Sequence, residues 1–409
     1  MTPDLPSNKF ERQERLSVWN QRIIEESSVM IVGVGGTGGE VAKNLSLLGI
    51  GKLILVDLDT IEYSNLNRQL LFSGNDIGKY KAEIAKKHII ERYNQDIEIV
   101  THTTTVQDIP FQIFTELDTI AGCVDNFLAR QYLNELAIEL KIPLIDSATD
   151  GYFGQVQCIN SMQTACLACD SPIPPNETQV LSAPCTIVGT PRIKEHCAWK
   201  ALYKFYSIHD REPDESSGKD ILELTDLANN IAQEYGFGIF ERRELANLVL
   251  FHIPSLITVN AVTSGIQSQE IVKSLFIRRF SEFKDNDQKY LKSLIESNRF
   301  RIPNLTVYSA LTGTINTFDL SRDPHCMVCG ENSIFHKDPV FVEVNPNSKC
   351  ERIFEILKNE FKKDYVGFKG EIVINRSDLI SNTLQNGDRM IISSLDDDEE
   401  FRVEIRYLG

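Results

Sequence analysis

The sequence predicts an α/β protein of more than one domain, and three observations carry that expectation. Residues 28–59, "SVMIVGVGGTGGEVAKNLSLLGIGKLILVDLD", read as strand, glycine-rich turn, amphipathic helix and strand. Residues 185–250 are polar and helix-patterned, with a break at "HDREPDESSGKD". The last 70 residues or so return to short strands around one helix. At 409 residues the chain is also too long for one compact core, so two or three domains follow from length alone.

The first unit is the most informative. "VMIV" is a short apolar run of the kind a buried parallel strand shows. Gly33, Gly35 and Gly38 follow in G-x-G-x-x-G spacing, with Gly36 inside the turn, where a phosphate would meet a helix N-terminus. "KLILVD" is the next strand and ends in Asp57, about 20 residues past the glycines, where an acid binds ribose hydroxyls. Strand, turn, helix, strand and acid in that order make a Rossmann-like unit. Alone, it suits an NAD-dependent dehydrogenase as well as an ATP-using enzyme.

The next segment separates these options. "DLDTIEYSNLNRQLLFSGNDIGKYKAE" holds Asp59, Asn65, Arg68 and Lys81. Hydride transfer has little use for an arginine and a lysine so near the nucleotide. A triphosphate does, because both cations neutralise the charge that builds as pyrophosphate leaves. Singly, each would read as a solvated loop or helix face; their shared segment points to phosphate. Asp125, in "IAGCVDNFLARQ", follows another apolar run and is expected at a strand's C-terminal end. Open α/β sheets bind ligands there, and a carboxylate can hold Mg2+ against phosphates.

Cysteine supplies a second theme. The N-terminal "MTPDLPSNKFERQERL" lacks the apolar stretch of a signal peptide, and no apolar run approaches the ~18 residues of a membrane span. A cytoplasmic location with reduced thiols is therefore expected for the nine cysteines. "TACLACD" contains Cys166 and Cys169, and "PHCMVCG" contains Cys326 and Cys329. A redox pair would need one C-x-x-C; two knuckles supply the four thiolates of a closed structural Zn2+ site. Their wide separation predicts a staple that closes an insertion against the main domain. The composition, 42% hydrophobic and 24% charged, is ordinary for a soluble protein, and the net charge of −16 argues against non-specific nucleic-acid binding, which needs a basic surface.

"GVGGTGG", "DLDTIEYSNLNRQ", "DIGKYKAE" and "CVDNFLAR" together resemble the ubiquitin-activating superfamily, which includes the adenylating enzymes of molybdopterin and thiamine biosynthesis. The resemblance implies activation of the C-terminal glycine carboxylate of a β-grasp protein as an acyl-adenylate. It implies ATP contacts on Asp57, Asn65, Arg68 and Lys81 beside the glycines, with Asp59 and Asp125 near Mg2+ and the phosphates. "KFERQ" resembles the superfamily's R-Y-x-R-Q arm, with Lys9 and Phe10 in place of Arg and Tyr. That implies that Arg12 reaches the triphosphate of a neighbouring subunit. The superfamily often carries the split tetracysteine as well.

"PCTIVGTPRIKEHCAWKALYKF" resembles the catalytic-cysteine segment of the SUMO- and Nedd-activating catalytic subunits, and implies that Cys185 forms the thioester. Chemistry agrees, since thiolate attacks an acyl-adenylate readily and the thioester retains free energy for transfer. No base is obviously adjacent, and a free thiol ionises only near pH ~8.5. Cys197, beside His196, falls on a downstream position that is not the nucleophile; Arg192 and His196 read as packing and capping residues. Cys123 and Cys158 fall in apolar strands and are expected to be inert, and Cys350 lies in the C-terminal region.

Residues 251–276 read as a long apolar-faced helix returning to the adenylation domain, and "NLTVYSALTGTINTFDL" as its closing strands. "VFVEVNP", "ERIFEILKNEFKK", "GEIVINR", "LQNGDRMIISS" and "FRVEIRYLG" read as strand, helix and strands, with "NGD" a turn and "LDDDEE" a solvated hairpin tip. That order suits a β-grasp, ubiquitin-fold domain, which the resemblance links to recruitment of a conjugating enzyme. The ending Leu408-Gly409 lacks the Gly-Gly of an activated modifier. The expected layout is an adenylation domain over 1–170, a mainly helical catalytic-cysteine domain over 171–250, the rest of the adenylation domain over 251–335 and the ubiquitin-fold domain over 336–409. A homodimer acting on a ubiquitin-like modifier is expected, with a sulfur-carrier adenylyltransferase as the alternative.

Overall fold

The computed structural model describes residues 9–125, 127–160, 163–169, 194–209, 211, 213–214, 217–249, 255–369, 372–397 and 399–408. The N-terminal elements run α1 (Glu11–Glu14), α2 (Gln21–Glu25), β1 (Ser28–Val32), α3 (Gly36–Leu48), β2 (Lys52–Val56), α4 (Lys81–Arg92), β3 (Glu98–His102), α5 (Phe111–Thr115), β4 (Thr119–Gly122), α6 (Phe127–Leu140), β5 (Leu144–Asp150) and β6 (Phe153–Ile159). There follow α7 (Lys194–His209), α8 (Gly218–Glu234), α9 (Arg242–Val249), α10 (Ile257–Arg278), α11 (Asp285–Glu296), β7 (Leu305–Ser309) and β8 (Thr314–Phe318). The C-terminal part holds β9 (Val340–Val344), α12 (Glu351–Phe361), β10 (Tyr365–Lys369), β11 (Ile372–Val373), α13 (Ile380–Thr383), β12 (Arg389–Ser394) and β13 (Glu400–Tyr407).

The first eight strands form one mixed sheet in the order β3-β2-β1-β4-β5-β6-β7-β8. It is parallel from β3 to β5 and antiparallel from β5 to β8. Chain order reverses between β1 and β4, which opens a crevice at the strands' carboxyl ends. The parallel strands are apolar on both faces because helices cover both. Val29 and Ile31 of β1 pack with α3, α4 and α10, while Met30 and Val32 pack with α5 and α6. Truncating such a residue, Ile31→Ala for instance, costs about 2–5 kcal/mol. Among the described residues no helix is long and apolar enough to cross a membrane.

Three sequence expectations need correction. The returning helix α10 begins at Ile257, not at 251, and Pro254 stands just before it. Its buried face is also largely polar, with Asn260, Thr263, Ser264, Gln267, Ser268 and Ser274 all buried against the sheet and α3. Cys123 lies one residue beyond β4 rather than within it. In the C-terminal part, "GEIVINR" contributes only the two residues of β11, and "YVGFK" supplies the longer strand β10 that periodicity missed. Gly367 interrupts that strand's pattern because Met390 and Phe354 occupy the space a side chain would take.

Helices α7–α9 form a unit with its own core of Cys197, Phe205, Leu224, Ala228 and Leu245. The break at "HDREPDESSGKD" falls between α7 and α8, where Arg211 donates two bonds to Asp220 at 2.6 and 3.1 Å. The second sheet, ordered β11-β10-β12-β13-β9, packs one face on α12. The acidic hairpin tip between β12 and β13 is tied down: Lys363 bonds both Asp397 and Glu399. This sheet adjoins α6 through Glu139, which is ion-paired with both Arg389 and Arg402.

Candidate nucleotide site and metal centre

The glycine-rich turn connects β1 to α3 at the reversal point. Gly33 has φ +86°, and a Cβ there would lie 2.4 Å from the carbonyl oxygen of Cys123, so only glycine fits. The same contact sets the turn against the exit of β4. α3 starts at Gly36, and the N–H groups of its first turn have no partners within the helix. Asp57, just past β2, accepts from Val34 N–H at 2.6 Å and from Asp59 N–H at 2.9 Å. It thus braces the turn itself, in addition to the ribose role expected of it. Burial pushes its carboxyl up, opposed by the Lys81 charge and these two N–H bonds.

Lys81 is the first residue of α4 and 8% exposed, so the solvated reading of this lysine does not hold. Its Nζ lies 2.7 Å from Asp59 Oδ2. Asn65 is buried on a 3-10 turn at Tyr63–Asn65, where its Oδ1 accepts from Glu62 N–H. Arg68 is half-exposed and bonds the Ser64 carbonyl and Asn67. Asp125 stands exposed three residues after β4.

Sequence reasoning passed over several neighbours. Gln69 is buried beside Gly35, and its Oε1 has no partner among the described residues, as an atom awaiting a ligand would. Asn260 of α10 presses against Gly36 and accepts the Ser255 hydroxyl at 2.5 Å. Gln267 donates to the carbonyls of Gly122 and Ile145, and Cys123 donates to it. "NLNRQ" contained the signal for Gln69; Asn260 and Gln267 are too remote in sequence to be placed without the fold. A pyrophosphate-bearing nucleotide suits the arrangement of glycine backbone and helix N-terminus at the crevice, with Lys81 close to Asp57 beside them.

Arg12 sits elsewhere. Its helix packs at the C-terminal end of α3, where Gln13 donates to the Leu48 carbonyl and Phe10 covers Gly49. That is about 20 Å along the 13-residue α3 from Gly36. Arg12 therefore does not meet its own chain's turn.

The second centre is compact. Cys166, Cys169, Cys326 and Cys329 bring their sulfurs within 4.8 Å of one another. The separations include 3.3 Å for Cys169–Cys329, 3.7 Å for Cys166–Cys326 and 3.9 Å for Cys166–Cys169. Tetrahedral zinc with ~2.3 Å bonds places its sulfurs about 3.8 Å apart, so the four thiolates fit that ion. Backbone N–H groups of Asp323 and Cys329 point at Cys169 and Cys326 sulfurs. The knuckles pack on Leu133 and Leu136 of α6, and Leu167 N–H bonds Asn134.

Of the remaining thiols, Cys158, Cys197 and Cys350 are buried. Burial pushes the Cys123 thiol up to about 12. Cys185 and Arg192 lie outside the described residues, as does the side chain of His196.

Several known proteins are similar to this chain. It is 38% identical over 210 residues to SUMO-activating enzyme subunit 2 of Dictyostelium discoideum, covering 51% of this chain and 31% of that protein. It is 27% identical over 395 residues to the NEDD8-activating enzyme E1 catalytic subunit of the same organism, covering 91% of this chain and 84% of that one. The corresponding subunit of Caenorhabditis elegans is 26% identical over 362 residues, covering 84% of this chain and 77% of its own. A crystal structure of E. coli MccB with ATP shares the fold at TM-score 0.50 and 18% identity, covering 80% of this chain and 75% of its own. The ThiF family model matches residues 10–328, the mixed sheet with its glycine turn and the first knuckle included, and the chain belongs to the ThiF family.

Proposed function

We propose that this protein activates a ubiquitin-like modifier. The observation that carries the reading is the extent of the likeness to a NEDD8-activating catalytic subunit, 91% of the chain, too much to leave out either the helical insertion or the C-terminal sheet as a whole. A sulfur-carrier adenylyltransferase needs neither. In this reading 171–250 is the catalytic-cysteine domain and 336–409 a ubiquitin-fold domain that recruits a conjugating enzyme.

The modifier's C-terminal carboxylate oxygen attacks the α-phosphorus of ATP, the bond to the bridging oxygen breaks, and pyrophosphate departs with the electron pair. Lys81 and Arg68 neutralise the departing charge, and Asn65, Gln69 and Asp57 orient the nucleotide. Asp125, with Asp59, would hold Mg2+, which supplies charge neutralisation at the phosphates when bound. Cys185 sulfur then attacks the acyl carbon; the C–S bond forms, the acyl C–O bond breaks, AMP leaves, and the thiol proton passes to solvent. The position of Arg12 at the far end of α3 supports a homodimer in which it serves the partner's site.

The test is incubation with ATP, Mg2+ and an extract of the source organism, followed by a non-reducing gel. An ATP-dependent, thiol-cleavable adduct is expected on the native protein. It should be absent from Cys185→Ala and resistant to thiol in Cys185→Ser. A thiocarboxylate product without an adduct would favour the sulfur-carrier reading.

A further inference from the structure

Arg130 stands in the first turn of α6, five residues after Asp125, and is 4% exposed. Its guanidinium is engaged on three sides. Nε meets the Asp146 carboxylate at 3.0–3.1 Å, and Nη2 donates to the carbonyls of Val124 at 2.5 Å and Ser147 at 3.1 Å. Asp146, on β5, is 1% exposed. Its Oδ1 occupies the space beside Gly122 of β4, where a Cβ would lie 2.4 Å away, so a glycine at the end of β4 makes room for the pair.

Stability alone is a weak reason to keep such a pair. Desolvating both charges costs several kcal/mol per ion, and apolar replacements of equal volume often do as well. What the pair supplies is geometry at the strand exits. Fixing the Val124 carbonyl fixes the peptide plane that continues into Asp125, because that unit is rigid. Gln267 grips the carbonyl of Gly122 two residues earlier. The exit of β4 is thereby held at alternate carbonyls up to the residue before the exposed carboxylate.

We infer that Arg130, anchored by Asp146, is a positioning residue that sets the Asp125 carboxylate against the metal-bearing phosphates of the nucleotide. The inference rests on the reading of Asp125 given above. It assigns Arg130 no contact with nucleotide or metal.

The experiment is calorimetric binding of two probes, AMP and a non-hydrolysable ATP analogue with Mg2+, to the full chain and to Asp125→Ala, Arg130→Lys and Asp146→Asn. Lysine keeps the charge but loses the fork that holds Asp146 through Nε while Nη2 holds both carbonyls. Outer-sphere partners of metal ligands typically cost 10–100-fold when removed, so each variant should bind the analogue at least tenfold more weakly. AMP affinity should stay within about twofold, since AMP needs no metal–phosphate geometry. The Arg130→Lys and Asp146→Asn losses should not add, because the two side chains act as one unit. If Asp125→Ala weakens the analogue while neither other variant does, the positioning role is overturned and the metal reading stands. If Asp125→Ala binds the analogue normally, the metal reading falls and this inference with it. Loss of AMP together with the analogue, or of the folded state, in both Arg130→Lys and Asp146→Asn assigns the pair to folding alone and overturns the inference.

Discussion

Lys81 occupies a place where a cation is unwelcome. It is the first residue of α4, where the helix dipole disfavours positive charge, and its side chain is 10% exposed. Its partner Asp59 is 57% exposed on its side chain, so their pairing adds little to stability. Replacing Lys81 with methionine should leave thermal stability within about 1 kcal/mol of the native value. The same change should slow ATP-dependent adduct formation by roughly 10²–10³-fold, the loss typical of one stabiliser of developing charge. A variant that stays folded and still forms the adduct at a normal initial rate would remove Lys81 from the site. Cys123 makes the opposite case. With its thiol pushed up to about 12, only about one molecule in 10⁴ carries the thiolate at pH 8. Raising the pH from 7 to 9 increases that fraction a hundredfold, yet it stays small throughout. Mass-spectrometric mapping after alkylation at pH 8 should find Cys123 unlabelled in the native protein and labelled once urea is added.

Among the elements, the joined knuckles bring four thiolates to one ion-sized centre. Structural zinc supplies about 10–16 kcal/mol in isolated peptides, so stripping it should lower unfolding stability by several kcal/mol rather than merely slow turnover. Elemental analysis should find one zinc per chain, and chelation should shift the melting transition downward. What could be read from the sequence divides along the same line as these elements. β1, α3 and β2 were legible because strand, turn, helix and acid follow one another within 32 residues. The knuckles were legible because C-x-x-C twice leaves few other chemistries. β10 was not, because Gly367 breaks its alternation to admit Phe354 and Met390, which belong to other elements. The polar face of α10 was not, because Gln267 bonds carbonyls 145 and 122 residues away, and a pattern of apolar spacing carries no record of such partners. Arg130 and Asp146 are only 16 residues apart, yet their meeting depends on β4 and β5 lying side by side.

At the scale of the whole molecule, the second sheet is held to the first by buried charge. Glu139 of α6 is paired with Arg389 and Arg402 from adjacent strands, and Arg402 also reaches the Ile334 carbonyl just beyond the second knuckle. Glu139→Ala would leave Arg402 without its acid while Arg389 keeps Glu404, a loss of up to about 3 kcal/mol at that contact. Hydrogen exchange should then quicken in β12 and β13 while β1 and β2 keep their protection. Equal protection in both sheets would show the contact to be dispensable. The arm is tested by mixing. Arg12→Ala and Lys81→Ala should each be inactive, and their mixture should recover part of the adduct-forming activity once subunits exchange. Full activity of Arg12→Ala alone would show that the arm is not used.

If Arg12 serves the site of a second copy, as proposed, its place at the opposite end of α3 from its own glycine turn has a kinetic consequence. A catalyst whose working parts are divided between two copies obeys mass action with itself. Its turnover per chain is constant only above the concentration at which the copies stay together. Below that concentration it falls in proportion to the dimer fraction, and added substrate does not restore it. Dilution would therefore switch the protein off before any side chain had changed.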